Sequence, residues 1–217
     1  MTDIALQRLN MVESQVRPSD ITDRRIIRAM GTIARETFVP AGQRAIAYMD
    51  EALIVAPGRR LLAPRLFARL AQLAKLPDGG SVLDIGAATG YSTAVWSVIA
   101  RRVTGVEADA ALVAAAQASL EAAGASNATV VHGPHAVGHA ADGPFDSILI
   151  NGAVPDVPRA LLDQLKDGGT LVAVLANGPA GKAVAFRRTG LQFDRREAFD
   201  AGADTLPGFE RTAEFVF

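Results

Sequence analysis

The sequence predicts an α/β fold: a doubly wound, mostly parallel sheet with an amino-terminal helical extension and an antiparallel carboxy-terminal edge. Three observations predict it. From residue 81 short apolar runs alternate with helical stretches, beginning "SVLDIG", "YSTAVWSVIARR", "VTGVEA" and "DAALVAAAQASLEAAGA". Those runs are apolar on both faces, the mark of strands covered by helices on both sides. The tail, "KAVAFRRTGLQFDRREAFDA" and "RTAEFVF", reads as further strands joined by turns.

The organisation changes once, near residue 80, so the chain is read as one domain: residues 1–78 as the extension and 79–217 as the core. The opening "MTDIALQRLNMVESQVRP" carries charges throughout and lacks the basic and apolar regions of a secretory signal. "DITDRRIIRAMGTIARETFVP" predicts a helix capped by Asp20, Thr22 or Asp23, with an apolar stripe of Ile26, Ile27, Met30 and Ile33, ended by Pro40. A Pro-Gly-Arg-Arg turn then leads, past Pro64 in a first-turn position, into a second helix with Leu66, Leu70 and Leu73 on one face. In the core, the Ala-rich helix closes at Gly124 and is followed by "ATVVHG", "FDSILING", a helix over "VPRALLDQLKDGG" and the strand "TLVAVLA".

Composition narrows the function. With 217 residues, 49% of them hydrophobic, the chain is long enough to bury a core. A net charge of -1 gives no sequence-wide attraction for nucleic acid or an anionic membrane. The absence of cysteine removes disulfides, thiolate nucleophiles and Cys-ligated zinc, and three scattered histidines argue against a metal. No apolar run reaches membrane-spanning length. A cytoplasmic protein without nucleic-acid or membrane partners is expected.

The chemistry concentrates in "SVLDIGAATGYST", residues 81–93. In a doubly wound sheet ligands bind beyond the carboxyl ends of the strands, usually at the first strand-to-helix turn. Here Asp84 precedes a turn through Gly86 and Gly90, which allow close backbone approach and positive φ. The spacing fits neither the dinucleotide pattern Gly-x-Gly-x-x-Gly nor the phosphate loop, which disfavours a pyrophosphate. Glu107 ends the next strand about twenty residues on, where an acid accepts from ribose hydroxyls. An acid before the turn, small residues Ala87 and Ala88 within it, and an acid after the second strand suit S-adenosylmethionine. Many methyltransferases have glycine where Ala88 stands.

From about residue 11 to about residue 175 the chain resembles the protein-L-isoaspartate (D-aspartate) O-methyltransferases. "MVESQVRPSDITDRRIIRAMGTIARETFVP", "AYMDEAL", "VLDIGAATGYSTAVWS", "VTGVEAD" and "PFDSILINGAVPDVPRALLDQLKDGGTLV" follow in that family's order. The resemblance implies a Rossmann-like methyltransferase. It would esterify the free carboxylate of isoaspartyl residues in damaged proteins or peptides and release S-adenosylhomocysteine; separately from the resemblance, a monomer is expected. The resemblance places the cofactor at Asp84, Gly86, Ala87, Ala88, Gly90, Glu107, Ala108, Pro134, His135 and Asn151. The acceptor falls at Arg59, Arg60, Leu62 and Ala63, and Asn151, Gly152 and Pro155 face the methyl-transfer centre.

Two departures stand out. Where the family reads Gly-Gln-Thr-Ile-Ser-Gln-Pro, this chain has Gly58 to Pro64 with Leu62 at the active-site serine, so no catalytic residue is assigned. Where the family reads Gly-Asp-Gly, it has Gly133-Pro134-His135, and the acid near the adenine amino group is missing. Because of Leu62, a related enzyme on another carboxylate or peptide and a non-catalytic cofactor-binding protein stay open as alternatives.

Overall fold

The computed structural model describes residues 3–176 and 181–209. Helix α1 (Ile4–Met11) starts at Asp3, whose carboxylate accepts from the amides of Ala5 and Leu6. Helix α2 (Arg24–Thr32) is capped by Asp23, one of the expected caps. It ends sooner than the apolar stripe suggests, because Ile33 is already extended, at φ -73° and ψ 126°. Ile26 and Met30 are buried from the helix and Ile33 from the segment beyond it, so the helical spacing runs across the helix end.

The Pro-Gly-Arg-Arg turn closes a hairpin that the sequence pattern did not signal. Strands β1 (Leu53–Ala56) and β2 (Arg59–Leu61) pair antiparallel in a two-stranded sheet of their own, with Gly58 at φ +67°. Helix α3 (Pro64–Leu73) begins on its proline as expected, but its buried face is Phe67, Leu70 and Ala71, with Leu66 and Leu73 only partly covered.

The core alternates as the sequence predicts: β3 (Ser81–Ile85), α4 (Tyr91–Ser97), β4 (Arg102–Glu107), α5 (Ala110–Ala122), β5 (Ala128–His132), β6 (Phe145–Val154), α6 (Arg159–Leu162) and β7 (Leu165–Leu175). β8 (Lys182–Thr189) and β9 (Gln192–Asp200) complete a seven-stranded sheet of order β5-β4-β3-β6-β7-β8-β9. The first five of these strands are mutually parallel, β8 pairs antiparallel with β7, and β9 pairs antiparallel with β8. The helix expected over "VPRALLDQLKDGG" shrinks to one turn. The chain enters β7 at Leu165, paired with Phe145, and Gly168 at φ +76° lies inside that strand. The segment "RTAEFVF" lies outside the described residues.

Alternate side chains of the strands serve opposite faces. Leu83, Ile85, Ile148 and Ile150 pack with α6, whereas Val82, Val103 and Leu149 pack with α2, α3, α4 and α5. The chain steps outward from β3 through β4 to β5, then returns to the other side of β3 with β6. The direction reverses between β3 and β6, which puts the crevice of a doubly wound fold at their carboxyl ends. Among the described residues no helix is long and apolar enough to cross a membrane.

Candidate functional site

Two carboxylates organise that crevice, and they do different things. Asp84, near the end of β3, is fully buried. Its Oδ2 accepts from Ser92 Oγ and Thr93 Oγ1, both at 2.6 Å, and its Oδ1 from Asn151 Nδ2 at 2.7 Å. Burial pushes the Asp84 carboxyl above the usual carboxylate range, against the pull of those three donors. Asp84 therefore acts as a fastener between β3, the first turn of α4 and β6, directly across the reversal point. Asn151 also donates to the Ile85 carbonyl at 3.1 Å, which fixes its amide beside the turn.

Glu107, the last residue of β4, is the hub. Its Oε2 accepts from Arg59 Nη2 at 2.6 Å and from the Ala88 amide at 2.8 Å. Its Oε1 accepts from the amides of Ala108 at 2.9 Å and Asp109 at 3.3 Å, and His135 Nε2 lies 3.1 Å away. Burial raises the Glu107 carboxyl, but the His135 hydrogen bond and the Arg59 charge outweigh it and hold it at about 2. Glu107 is a carboxylate at any ordinary pH. His135, itself buried, donates from Nδ1 to the Pro207 carbonyl at 2.8 Å and so ties residues 204–209 to the hub. That segment also reaches β6, where the Ala153 amide donates to the Asp204 carbonyl and the Leu206 amide to the Ala153 carbonyl, both at 2.8 Å.

The turn itself has the predicted backbone. Gly86 and Gly90 lie at φ +74° and +92°, and Ala88, a non-glycine residue, also takes a positive φ of 50°. Gly86 is closely faced: a Cβ there would meet Leu206 at 2.8 Å and Arg59 Nη2 at 3.3 Å. Gly90 lets α4 lie against α5, since a Cβ would meet Ala116 at 3.2 Å.

Beside the turn opens a cavity of about 340 Å³ lined by Arg59, Arg60, Leu62, Ala63 and Asn151 among others. Arg60 pairs with Asp204 on the far wall. The loop carrying Leu62 is braced from behind by fully buried Arg35, whose Nη2 donates to the Leu62 carbonyl and Nε to the Ala47 carbonyl, both at 2.8 Å.

The structure thus brings Gly86, Ala87, Ala88, Glu107, His135 and Asn151 to one end of the sheet, with Arg59, Arg60, Leu62 and Ala63 across from them. Asp84 lies behind this surface, and Pro134 and Ala108 are exposed at its rim. Ser92, Thr93 and Arg35 were missed. The "YST" that follows the acid carried the signal for the first two, since a hydroxyl pair at the start of a helix is placed to satisfy a buried carboxylate.

Comparison with known proteins agrees over most of the chain. The family model described as Protein-L-isoaspartate(D-aspartate) O-methyltransferase matches residues 7–194. A protein-L-isoaspartate O-methyltransferase of Koribacter versatilis is 39% identical over 172 residues, 79% of this chain and 78% of that one. One from Methylorubrum populi is 39% identical over 202 residues, 93% of each chain. Among solved structures, a protein-L-isoaspartate O-methyltransferase superposes with a TM-score of 0.83 at 24% identity, covering 93% of this chain and 66% of that one. A putative one from Plasmodium falciparum, in complex with S-adenosyl-L-homocysteine, superposes with a TM-score of 0.79 at 20% identity, covering 92% and 97%.

Proposed function

The chain belongs to the protein-L-isoaspartate(D-aspartate) O-methyltransferase family, and from that premise we propose that it is an S-adenosylmethionine-dependent carboxyl O-methyltransferase acting on isoaspartyl residues of damaged proteins or peptides. The observation that carries the reading at the site is the bond from the Ala88 amide to Glu107 at 2.8 Å. It joins the small-residue turn and the acid after the second core strand, the two halves of the sequence pattern, into one cradle.

The residues fit an adenosine-bearing cofactor. Glu107 is an ionised acceptor at a strand end, as ribose hydroxyls require, and the turn at Gly86 has no side chain and a positive φ, so its backbone can be approached closely. In this reading Glu107 holds the ribose, the 86–90 turn lies along the ligand, and His135 and Pro134 border the adenine where the family has an acid. The cofactor supplies an activated methyl group. The chain's residues do the rest by placement and by excluding water. A substrate carboxylate is already ionised near neutral pH and needs no general base, so positioning and desolvation govern the rate. The apolar side chain of Leu62 dries the acceptor cavity, and Asn151 fixes its floor. Arg60, held by Asp204, and Arg59 supply positive charge for the acceptor.

Residues 1–78 serve as the wall of the cleft and residues 79–217 as the cofactor core of one domain. We take the enzyme to work as a cytoplasmic monomer without nucleic acid or membrane, in keeping with a net charge of -1. The test is transfer of a labelled methyl group to an isoaspartyl peptide beside its aspartyl twin. Selective labelling of the first is expected; labelling of neither, with intact cofactor binding, overturns the acceptor assignment.

A further inference from the structure

Arg59 occupies an unexpected place. Its guanidinium donates through Nη2 to Glu107 Oε2 at 2.6 Å and covers Gly86, on the same carboxylate that would receive the ribose. The cradle is chemically suited to its ligand, but the Arg59 guanidinium closes off the Glu107 oxygen and the face of Gly86 that the ligand would use.

The closure is built to release. Arg59 makes one contact with Glu107 instead of a two-pronged grip, and its Nε is buried without a hydrogen-bond partner. It sits on β2 of the small hairpin, which shares no ladder with the central sheet, so it can withdraw without breaking a strand pairing there. A guanidinium that leaves Glu107 needs another anion, because a half-buried unpaired charge is costly. Arg59 also lines the neighbouring cavity, and a carboxylate acceptor brings such an anion there.

We infer that Arg59 is a latch that competes with the cofactor's ribose for Glu107 and transfers its guanidinium to the acceptor carboxylate, so that acceptor and cofactor each favour the other's binding. The coupling rests on the carboxyl-methyltransferase reading; the competition rests on cofactor binding alone. Coupling of this kind is reciprocal by linkage.

The test titrates S-adenosylhomocysteine calorimetrically into the wild type, Arg59→Gln and Arg59→Met, with and without isoaspartyl peptide. Both variants are expected to bind the nucleoside roughly tenfold or more tightly, the worth of one charged hydrogen bond no longer in competition. Peptide should tighten binding in the wild type and not in the variants. Thermal unfolding adds a second readout. The ligand-free wild type should melt above Arg59→Gln, and saturating ligand should close the gap, whereas a merely structural ion pair lowers the midpoint equally in both conditions. Equal or weaker binding by both variants overturns the latch and leaves the proposed function standing. Tighter binding without any effect of peptide overturns the coupling. Failure of all three proteins to bind overturns the cofactor reading and the latch with it.

Discussion

Glu107→Gln keeps the shape of the hub and removes its charge, which makes it the most informative single substitution. Wild-type Glu107 is held at about 2, from an ordinary 4.5, by His135 and Arg59 acting against its burial. At about 1.4 kcal/mol for each pH unit, that depression corresponds to roughly 3 kcal/mol of folding free energy. Its sign follows from proton counting. Between the two values the unfolded chain carries a proton at this residue and the folded chain does not, so stability rises with pH through that window. The contribution is complete above the unfolded value of 4.5 and is lost as pH falls towards 2. Glutamine has no such titration. Urea unfolding of both proteins from about pH 6 down to about pH 2.5 should show the stability gap between them shrinking by about 2–3 kcal/mol. Asp23 and Asp146, whose carboxyls also lie below the ordinary value, titrate in both proteins and cancel in the difference. A gap that stays constant over this range would refute the assignment of Glu107 as an ionised, doubly paired hub.

Two further substitutions probe the turn and the cavity. Gly86→Ala places a Cβ at φ +74° and within 2.8 Å of Leu206; it should cost about 1–3 kcal/mol in denaturant unfolding and abolish calorimetric binding of S-adenosylhomocysteine. Unchanged binding would move the cofactor away from the turn. Leu62→Ser puts a hydroxyl on the cavity wall and should raise isoaspartyl turnover by roughly ten- to a hundredfold, the value of one hydrogen bond to a charged group; no gain would mean that the acceptor does not reach Leu62.

The core was legible because its signals are local. The strands β3, β4, β6 and β7 each contain an apolar run buried on both faces, so tertiary context reinforces the local pattern, and of the strands from β3 to β7 only the edge strand β5 is largely uncovered. The acids at Asp84 and Glu107 were legible for the opposite reason: a charge ending an apolar strand conflicts with burial and must be satisfied by something. The misses lie where local pattern and tertiary packing disagree. Ile33 continues a helical spacing in a segment that is extended, and the β1–β2 hairpin has strands of four and three residues, too short for a period to register.

The site's pairings were legible only in part, and Arg59 shows why. Two adjacent arginines in a turn read as a cationic pair directed at an acceptor, which places them correctly on the cleft but does not say which anion each one meets. That choice depends on the fold. Arg60 finds Asp204, far along the chain, and stays substantially exposed. Arg59, one position earlier on a strand whose side chains alternate between faces, turns inward and is 6% exposed against Glu107. The family pattern has an uncharged glutamine at this position, so the substitution adds a buried charge that must be matched in every state of the cleft. Within the chain the match is Glu107; of the acids lining the acceptor cavity, Asp50 and Asp204 are already paired with Arg65 and Arg60 and Glu51 is exposed, so once a ribose takes Glu107 an anion arriving in that cavity is the partner the latch calls for. In the latch proposal a sequence change that looks like a modest polar replacement links the cofactor and acceptor sides of the cleft electrostatically, and the pairing behind it is visible only when residues 59 and 107 are seen 2.6 Å apart.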